Sequence, residues 1–178
     1  KLNSFQRIYT ACIQNYQCRN IFQNFIITFY NTYFIPLKRI VSEDKSWAAM
    51  LVSIENFENY KETYTELASD KLVQTYCAII NSALSEGDYL GALSENKFLI
   101  ITDSIKAEKI ANYLTFAFDS VANKFYSPQD IRRGFMLMHG DEFAGRRSNF
   151  VHTTIGIVTN EFLKYQDSSQ LLGALMQI

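Results

Sequence analysis

The feature that most constrains the fold is an alternation of strand-like and helix-like segments that begins at Trp47. The segment 47–54 is a short apolar run with almost no polar interruption, which is typical of a buried strand. A helical repeat follows, for which Ser69 or Asp70 is the expected cap. The apolar members of this repeat are Leu72, Val73, Tyr76, Ile80, Ala83 and Leu84.

A polar turn separates two further strand-like segments, 88–93 and 98–102. This arrangement predicts a β-hairpin. Ser104 is the expected cap of the helix that comes next. The inner face of that helix is predicted to consist of Ile110, Leu114, Ala117 and Val121.

The last part of the chain predicts a second strand pair and one more helix. Segments 135–138 and 151–158 are strand-like and are joined by a polar, glycine-containing loop, and the final helix is predicted to begin near Ser168. The order is therefore βαββα, followed by a strand pair and a helix. This order predicts an α+β domain of ferredoxin-like type, in which helices pack on an antiparallel-rich sheet.

Residues 1–34 predict one long helix, or stalk, in front of a domain that we place at 35–178. Apolar residues recur along it at three- and four-residue spacing in two stretches, which suits a coiled coil, a helix pair or a helix that packs on its own domain. The stretches are Leu2, Phe5, Tyr9, Cys12 and Tyr16, then Phe22, Phe25, Phe29 and Tyr33. Pro36 is expected to end the helix, because proline lacks a backbone N–H and restricts the residue before it.

Composition excludes several classes of protein. The chain is 48% hydrophobic and 20% charged, as is ordinary for a globular protein, and its net charge of −1 does not favour nucleic acid or anionic lipid. Cys12, Cys18 and Cys77 form no CxxC pair, which indicates free thiols in a reducing compartment. We therefore expect a cytoplasmic protein without membrane insertion in this chain and without a nucleic-acid partner.

Few residues suggest other chemistry. His139 and His152 have no cysteine or carboxylate at the spacing of metal ligands, so packed or surface histidines are expected. Arg132-Arg133 and Arg146-Arg147 would form a small basic patch if the intervening strands pair as a hairpin. The alternative for these arginines is a solvated charged loop.

Several segments resemble, in order, the motifs of one enzyme family. Segment 50–57 resembles the first strand of GGDEF domains, the diguanylate cyclases, which ends in an Asp-x-Asp-x-Phe-Lys pattern. Ser69-Asp70 occupies the place of the family's Gly-Asp, and Glu86-Gly87-Asp88 resembles its Glu-Gly-Asp. Segment 154–158 resembles its Ser-Ile-Gly-Val strand. The similarity covers about 47–178 and implies a nucleotide-cyclase-like fold behind a stalk from an upstream domain.

The letters of the family signature appear at 140–143 as Gly-Asp-Glu-Phe, but the register favours a different segment. In the family the signature turn follows the first strand by about one helix and one strand, which leads to 94–98, Ser-Glu-Asn-Lys-Phe. An apolar strand follows this turn, as the family's hairpin requires, whereas a polar loop follows 143. We therefore interpret 140–143 as a loop whose spelling is coincidental.

The resemblance implies which residues would bind the nucleotide and its Mg²⁺ ions. The metal-binding positions correspond to Ser53 and Asn96, followed by Lys97, and a hard cation favours none of these over carboxylates. Glu95 stands where the family has the second signature glycine. The other pocket positions hold Glu55, Asn56, Phe57, Glu58, Lys61 and Asp70. We therefore expect a vestigial nucleotide site, with no catalytic residue and no bound Mg²⁺.

The family's inhibitory product site, Arg-x-x-Asp, corresponds to Ser85 and Asp88, so its arginine is missing. The resulting hypothesis is a catalytically inactive GGDEF-like signalling or dimerisation module of a bacterial protein. It would pair with itself or with a partner signalling domain through the N-terminal helix. One alternative is a sensor that binds GTP or a similar nucleotide without turnover, and a weaker one is an active, divergent diguanylate cyclase.

Overall fold

The computed structural model describes residues 35–42, 45–138, 145–161 and 164–177. The predicted stalk at 1–34 and the segment 140–143 lie outside the described residues, and the stalk remains a prediction. So does the domain boundary at 34/35.

The described elements alternate between helices and strands in the order that the sequence pattern predicts. The helices are α1 (Ile35–Val41), α2 (Phe57–Thr63), α3 (Glu66–Ala83), α4 (Ser104–Ala122), α5 (Pro128–Arg133) and α6 (Ser168–Met176). The strands are β1 (Ala48–Glu55), β2 (Tyr89–Ala92), β3 (Lys97–Thr102), β4 (Met136–Leu137), β5 (Arg147–Ser148) and β6 (His152–Thr159).

Four of the strands form one sheet in the order β2-β3-β1-β6, and β4 and β5 form a separate two-stranded sheet. β2 and β3 pair as an antiparallel hairpin, with Tyr89 opposite Ile101 and Ala92 opposite Phe98. In sequence order the main elements run β1-α3-β2-β3-α4-β6, and β3 rather than β2 lies beside β1. This split βαβ arrangement confirms the predicted α+β, ferredoxin-like class.

The chain divides into two compact units. The first comprises 35–52, 86–107 and 156–177 of the described residues, and the second comprises 53–85 and 108–155. The core of the first unit contains apolar residues of α1, β1, β3, β6 and α6, together with the residue that precedes β1. These residues are Leu37, Ile40, Trp47, Ala49, Leu99, Ile101, Val158, Leu171 and Leu175. Burial of this apolar surface is the main stabilising term of the unit.

The second unit has a core of helical residues and an aromatic cluster. α3 buries Leu72, Val73, Tyr76 and Ile80 along one face, as the repeat predicts. The ring of Tyr76 contacts Phe118 of α4 edge-to-face, with 4.9 Å between the ring centroids. Burial also raises the pKa of the Cys77 thiol to about 11, which keeps it in the unreactive protonated form.

The structure corrects four of the predicted helix ends. Pro36 does not stop a helix but lies in the first turn of α1, where its missing N–H would have no intrahelical partner. Neither Ser69 nor Asp70 caps α3: Thr65 does so, and Ser69 lies buried inside the helix. Ser104 is the first residue of α4, and Asp103 accepts a hydrogen bond from the backbone N–H of Ile105.

The predicted pairing of 135–138 with 151–158 is also wrong. β4 pairs instead with β5, and Met136 lies opposite Ser148. β6 belongs to the four-stranded sheet. Alternating apolar residues identify strands but do not identify their partners, and β5 carries no such pattern. Short helices α2 and α5 were not predicted either, because six or seven residues hold too few turns to show a helical repeat.

Candidate functional site

The predicted metal-binding serine lies near the end of β1, in the second unit. Ser53 is only 6% exposed, on a strand that is buried along almost its whole length. Its Oγ makes no hydrogen bond to any other part of the chain that the structure describes. The position therefore holds a small, neutral and buried hydroxyl. The next predicted pocket residue, Glu55, is exposed at the end of the strand.

The residues that follow β1 stabilise the local fold. Asn56 adopts a left-handed conformation, with φ of 61°, which asparagine tolerates better than most residues. Its Nδ2 donates a hydrogen bond of 3.1 Å to the carbonyl oxygen of Phe150. Phe57, at 2% exposure, packs inside the unit as the first residue of α2. Asn56 and Phe57 thus turn the chain from β1 into α2 and close it against the segment before β6.

The remaining second-unit residues of the predicted pocket lie on helices. Glu58 is exposed and Lys61 is half-buried on α2, and Asp70 is half-buried on α3. One acidic and one basic side chain therefore occupy the positions that the resemblance assigns to phosphate and guanine recognition on α2.

The predicted signature turn lies between β2 and β3, in the first unit. The backbone N–H of Leu93 donates to the carbonyl oxygen of Lys97 over 2.8 Å, which closes a tight hairpin turn. Ser94 Oγ donates to Asn96 Oδ1 over 2.8 Å, so the amide of Asn96 takes part in the turn. Glu95 and Lys97 are exposed. The turn consequently presents an amide and an ammonium at the positions that the resemblance assigns to metal-binding carboxylates.

The inhibitory-site aspartate has other partners within the first unit. The side chain of Asp88 is 4% exposed, and its Oδ1 lies 3.8 Å from Nζ of Lys106. Thr102 Oγ1 donates to the same oxygen over 2.7 Å. Asp88 therefore stabilises the start of the β2–β3 hairpin and the first turn of α4. Ser85, the other predicted inhibitory-site residue, is exposed and belongs to the second unit.

Sequence reasoning did not find Lys106 as the partner of Asp88. The two residues are far apart along the chain, and the register that places Tyr89 opposite Ile101 brings them together. No local pattern at Lys106 marks this role.

A second feature that the sequence did not reveal is an aromatic cluster in the second unit. The rings of Tyr60 and Tyr64 stack with 4.7 Å between their centroids, and Tyr126 contacts both edge-to-face. Tyr60 donates its hydroxyl to the carbonyl oxygen of Phe125 over 2.9 Å, and Tyr126 accepts from the backbone N–H of Val151 over 2.8 Å. Burial, with the neighbouring Tyr64, raises the pKa of Tyr60 to about 12.

Asp130 is the buried carboxylate of this cluster. Ser127 Oγ donates to its Oδ2 over 2.6 Å, the hydroxyl of Tyr64 donates to the same atom, and Arg133 forms an ion pair with Oδ1. Burial by itself raises the pKa of Asp130, but the hydrogen bonds from Ser127, Tyr64 and Arg133 outweigh it and hold the pKa below its usual range. The anion is thus fully partnered, which makes a structural role its simplest explanation.

The described residues contain no group of three or more histidine, cysteine, aspartate or glutamate side chains arranged to hold a metal ion. His152 is exposed on β6, whereas His139 lies outside the described residues. In the part of the chain that the structure describes, no helix is both long enough and apolar enough to span a bilayer.

Comparison with known proteins identifies the family. The family model described as "Diguanylate cyclase, GGDEF domain" matches residues 28–175, which is most of the chain. The chain belongs to this family of GGDEF domains. No curated protein matches it.

Solved structures of GGDEF domains share the fold at low sequence identity. One is the GGDEF domain of PA1120 (YfiN or TpbB) from Pseudomonas aeruginosa, with a TM-score of 0.56, 15% identity and coverage of 84% of this chain and 83% of that one. A second is the active GGEEF domain of a diguanylate cyclase from Vibrio cholerae, with a TM-score of 0.52, 14% identity and coverage of 89% and 85%. A third is the GGDEF domain of DgcB from Caulobacter crescentus in complex with c-di-GMP, with a TM-score of 0.54, 10% identity and coverage of 78% and 73%.

Proposed function

We propose that this GGDEF domain does not synthesise cyclic di-GMP and acts as a signalling or dimerisation module of a bacterial signal-transduction protein. The observation that carries the proposal is the side chain at position 53, a buried and neutral hydroxyl at the end of β1. In the family this position supplies a carboxylate to Mg²⁺. A serine there does not replace the negative charge that a hard divalent cation requires.

The signature turn supports the same conclusion. Asn96 offers an amide oxygen that already accepts a hydrogen bond from Ser94, and Lys97 offers a positive charge. An ammonium group near a divalent cation repels it. The donor set therefore does not fit Mg²⁺, and we derive no phosphoryl-transfer step for this chain.

The environment of Asp88 supports a second part of the proposal, namely that cyclic di-GMP is not a feedback ligand at the vestigial inhibitory site. The carboxylate is buried and already bonded to Thr102 and Lys106. Ser85 at the arginine position has no guanidinium to stack on a guanine base. A ligand at this site would have to displace existing contacts without the residue that the family uses to hold it.

The signalling part of the proposal rests on the N-terminal segment. Its apolar seam suits a helix that pairs two copies of the chain, or pairs this chain with a partner signalling domain. Sedimentation velocity of the full chain and of a variant without residues 1–30 tests this directly. We expect a dimer that becomes a monomer on deletion, whereas a full chain that stays monomeric at high concentration would contradict a role in self-pairing.

A nucleotide sensor without turnover is the second candidate. Lys97 is exposed at the start of β3, and Lys61 is half-buried on α2. Either ammonium offers a phosphate group the charge that Mg²⁺ supplies in the family. This candidate predicts binding of GTP that does not depend on Mg²⁺.

Calorimetric titration with GTP and then with cyclic di-GMP, each with and without Mg²⁺, separates the candidates. We expect no heat of binding from either ligand up to millimolar concentration. GTP binding without Mg²⁺ that is lost in Lys97→Ala would instead establish the sensor. Binding and turnover that require Mg²⁺ would establish a divergent cyclase and overturn the proposal.

A further inference from the structure

Four arginines gather around one aromatic ring in the second unit, at a place that the proposed function does not use. We call this the arginine surface; it consists of Arg132, Arg133, Arg146, Arg147 and Phe135. β4 and β5 pair with Leu137 opposite Arg147, which brings the two arginine pairs to the same hairpin. The guanidinium carbon of Arg147 lies 4.7 Å from the centroid of the Phe135 ring, and that of Arg133 lies 5.9 Å from it. All four arginines are exposed, and Phe135 is half-buried.

Two of these guanidinium groups are held in place by the fold. Arg133 is anchored from behind by its ion pair with Asp130, which is itself bonded to Ser127 and Tyr64. The aromatic face of Phe135 supports both Arg133 and Arg147 through cation–π contacts. Part of the entropy of ordering two long side chains is thus spent on folding, so a ligand that uses them loses less on binding.

The hairpin itself is tied to the rest of the second unit. Asn59 Nδ2 donates to Ser148 Oγ over 2.9 Å, and the backbone N–H of Met138 donates to the carbonyl oxygen of Arg146 over 3.0 Å. Gly134 ends α5 in a left-handed conformation, with φ of 78°, and sends the chain directly into β4. These contacts fix the positions from which the arginines project.

The charge around this hairpin is strongly one-sided. Among the described residues of 123–150 there is one carboxylate, Asp130, which is buried, and there are five cations. These cations are Lys124, Arg132, Arg133, Arg146 and Arg147. A concentration of positive charge in a chain of net charge −1 indicates selection for a local anionic contact rather than a general basic character.

The exposure of the arginines indicates the kind of ligand. Small molecules bind in concave sites that bury most of their surface, whereas these guanidinium groups stand in solvent. Nucleic acid requires a longer basic track than one hairpin in a slightly acidic chain provides. Arginine and aromatic side chains together are the residues most enriched at protein–protein contacts. We propose that the arginine surface docks a carboxylate-rich segment of a partner protein, with Arg133 and Arg147 as its two fixed anchors.

The experiment uses the full chain and a fluorescein-labelled ten-residue peptide of alternating glutamate and glycine, measured by fluorescence anisotropy. The reference peptide has glutamine at every glutamate position. We expect the acidic peptide to bind with an affinity that falls as salt rises, and the glutamine peptide not to bind. Arg147→Ala is expected to weaken binding about tenfold, as is typical for loss of a charge-assisted contact.

Three further variants distinguish an organised site from diffuse charge. Arg147→Lys keeps the charge but loses the planar fork, and Phe135→Leu keeps every charge but removes the aromatic support; we expect each to weaken binding several-fold. Lys124→Ala removes an exposed cation of the same segment and is the matched control, with affinity unchanged. Arg147→Lys changes only an exposed side chain, so its result stands even if Phe135→Leu disturbs folding.

Either of two results would overturn the proposal. The first is equal loss of affinity in Lys124→Ala and Arg147→Ala, with none in Arg147→Lys, because that pattern describes nonspecific attraction. The second is tighter binding of a single-stranded RNA oligonucleotide of the same charge than of the acidic peptide at 150 mM salt, about the physiological ionic strength.

Discussion

The two hairpins of the chain differ in what holds them together. The hairpin β2–β3, in the first unit, pairs four residues on each strand, and its second strand is buried from Phe98 to Thr102. The hairpin β4–β5, in the second unit, pairs only two residues on each strand and is anchored by polar and aromatic contacts such as that of Asn59 with Ser148. Apolar burial stabilises the first hairpin, and a network around Asp130 supports the second.

The comparison explains why the family's letters occur in one hairpin and the family's place in another. The segment 140–143 belongs to the connection between β4 and β5, which lie in a separate two-stranded sheet. The segment 94–98 connects two strands of the main sheet, as the signature does in the resemblance we inferred. A motif carries chemistry only in the structural context that positions it.

The largest effect on folding is expected from truncation in the first hairpin. Leu99 of β3 is fully buried in the first unit, so Leu99→Ala should lower the free energy of unfolding by about 2–5 kcal/mol, through lost burial and the cavity left behind. Urea denaturation measures this. Ile105→Ala is the control, because Ile105 is 85% exposed and should change stability by less than about 0.5 kcal/mol. Equal effects of the two variants would contradict the described core.

In the second hairpin the corresponding weak point is polar. Asp130→Asn removes the charge that Arg133 pairs with and weakens the hydrogen bonds from Ser127 and Tyr64, and we expect a loss of about 2 kcal/mol. Asp119→Asn changes an exposed aspartate of α4 and serves as the reference in the same denaturation experiment. An Asp130→Asn protein as stable as the wild type would show that the network does not support the hairpin.

The same network predicts a response to acid. The pKa of Asp130 is lower in the folded chain than its unfolded value of about 3.9, so this carboxylate stabilises the fold above that value. Its contribution is lost as the pH falls through the folded pKa. The wild type should therefore lose more stability than Asp130→Asn between pH 5 and pH 3. Parallel losses in the two proteins, measured by thermal unfolding, would exclude Asp130 as a source of acid sensitivity.

The smallest effect on folding is expected at the turn of the first hairpin. Lys97→Glu changes an exposed residue at the start of β3, and we expect a change of less than about 0.5 kcal/mol in the free energy of unfolding. A much larger loss, again by urea denaturation, would mean that the turn is constrained by structure and that its departure from the family pattern is not evidence about catalysis.

The sequence predicts those elements whose side chains repeat over several turns or alternations. β1, α3, the β2–β3 hairpin, α4 and α6 were found in this way, and their order was enough for the fold class. Thr65 was missed as a cap because Ser69 and Asp70 offer equally suitable side chains nearby, and only the backbone conformation distinguishes them.

The candidate site was predictable only where the resemblance supplied positions. Ser53, Asn96 and Lys97 follow from it, although the burial of Ser53 does not. The partners of Asp88 and Asp130 depend on strand register and on contacts between residues distant in the chain, such as Tyr64 and Asp130. Such contacts leave no local pattern, because each partner alone is an ordinary polar residue.

The central claim is tested most directly by an assay for cyclic di-GMP synthesis. The purified full chain is incubated with GTP and Mg²⁺, and in parallel with Mn²⁺, and the products are analysed by liquid chromatography with mass detection. A second protein carries Ser53→Asp, Ser94→Gly, Glu95→Gly, Asn96→Glu and Lys97→Glu, which returns the family pattern to β1 and the turn. The account predicts no cyclic di-GMP from the wild type with either metal. Metal-dependent synthesis by the wild type at a rate similar to that of the restored variant would contradict it.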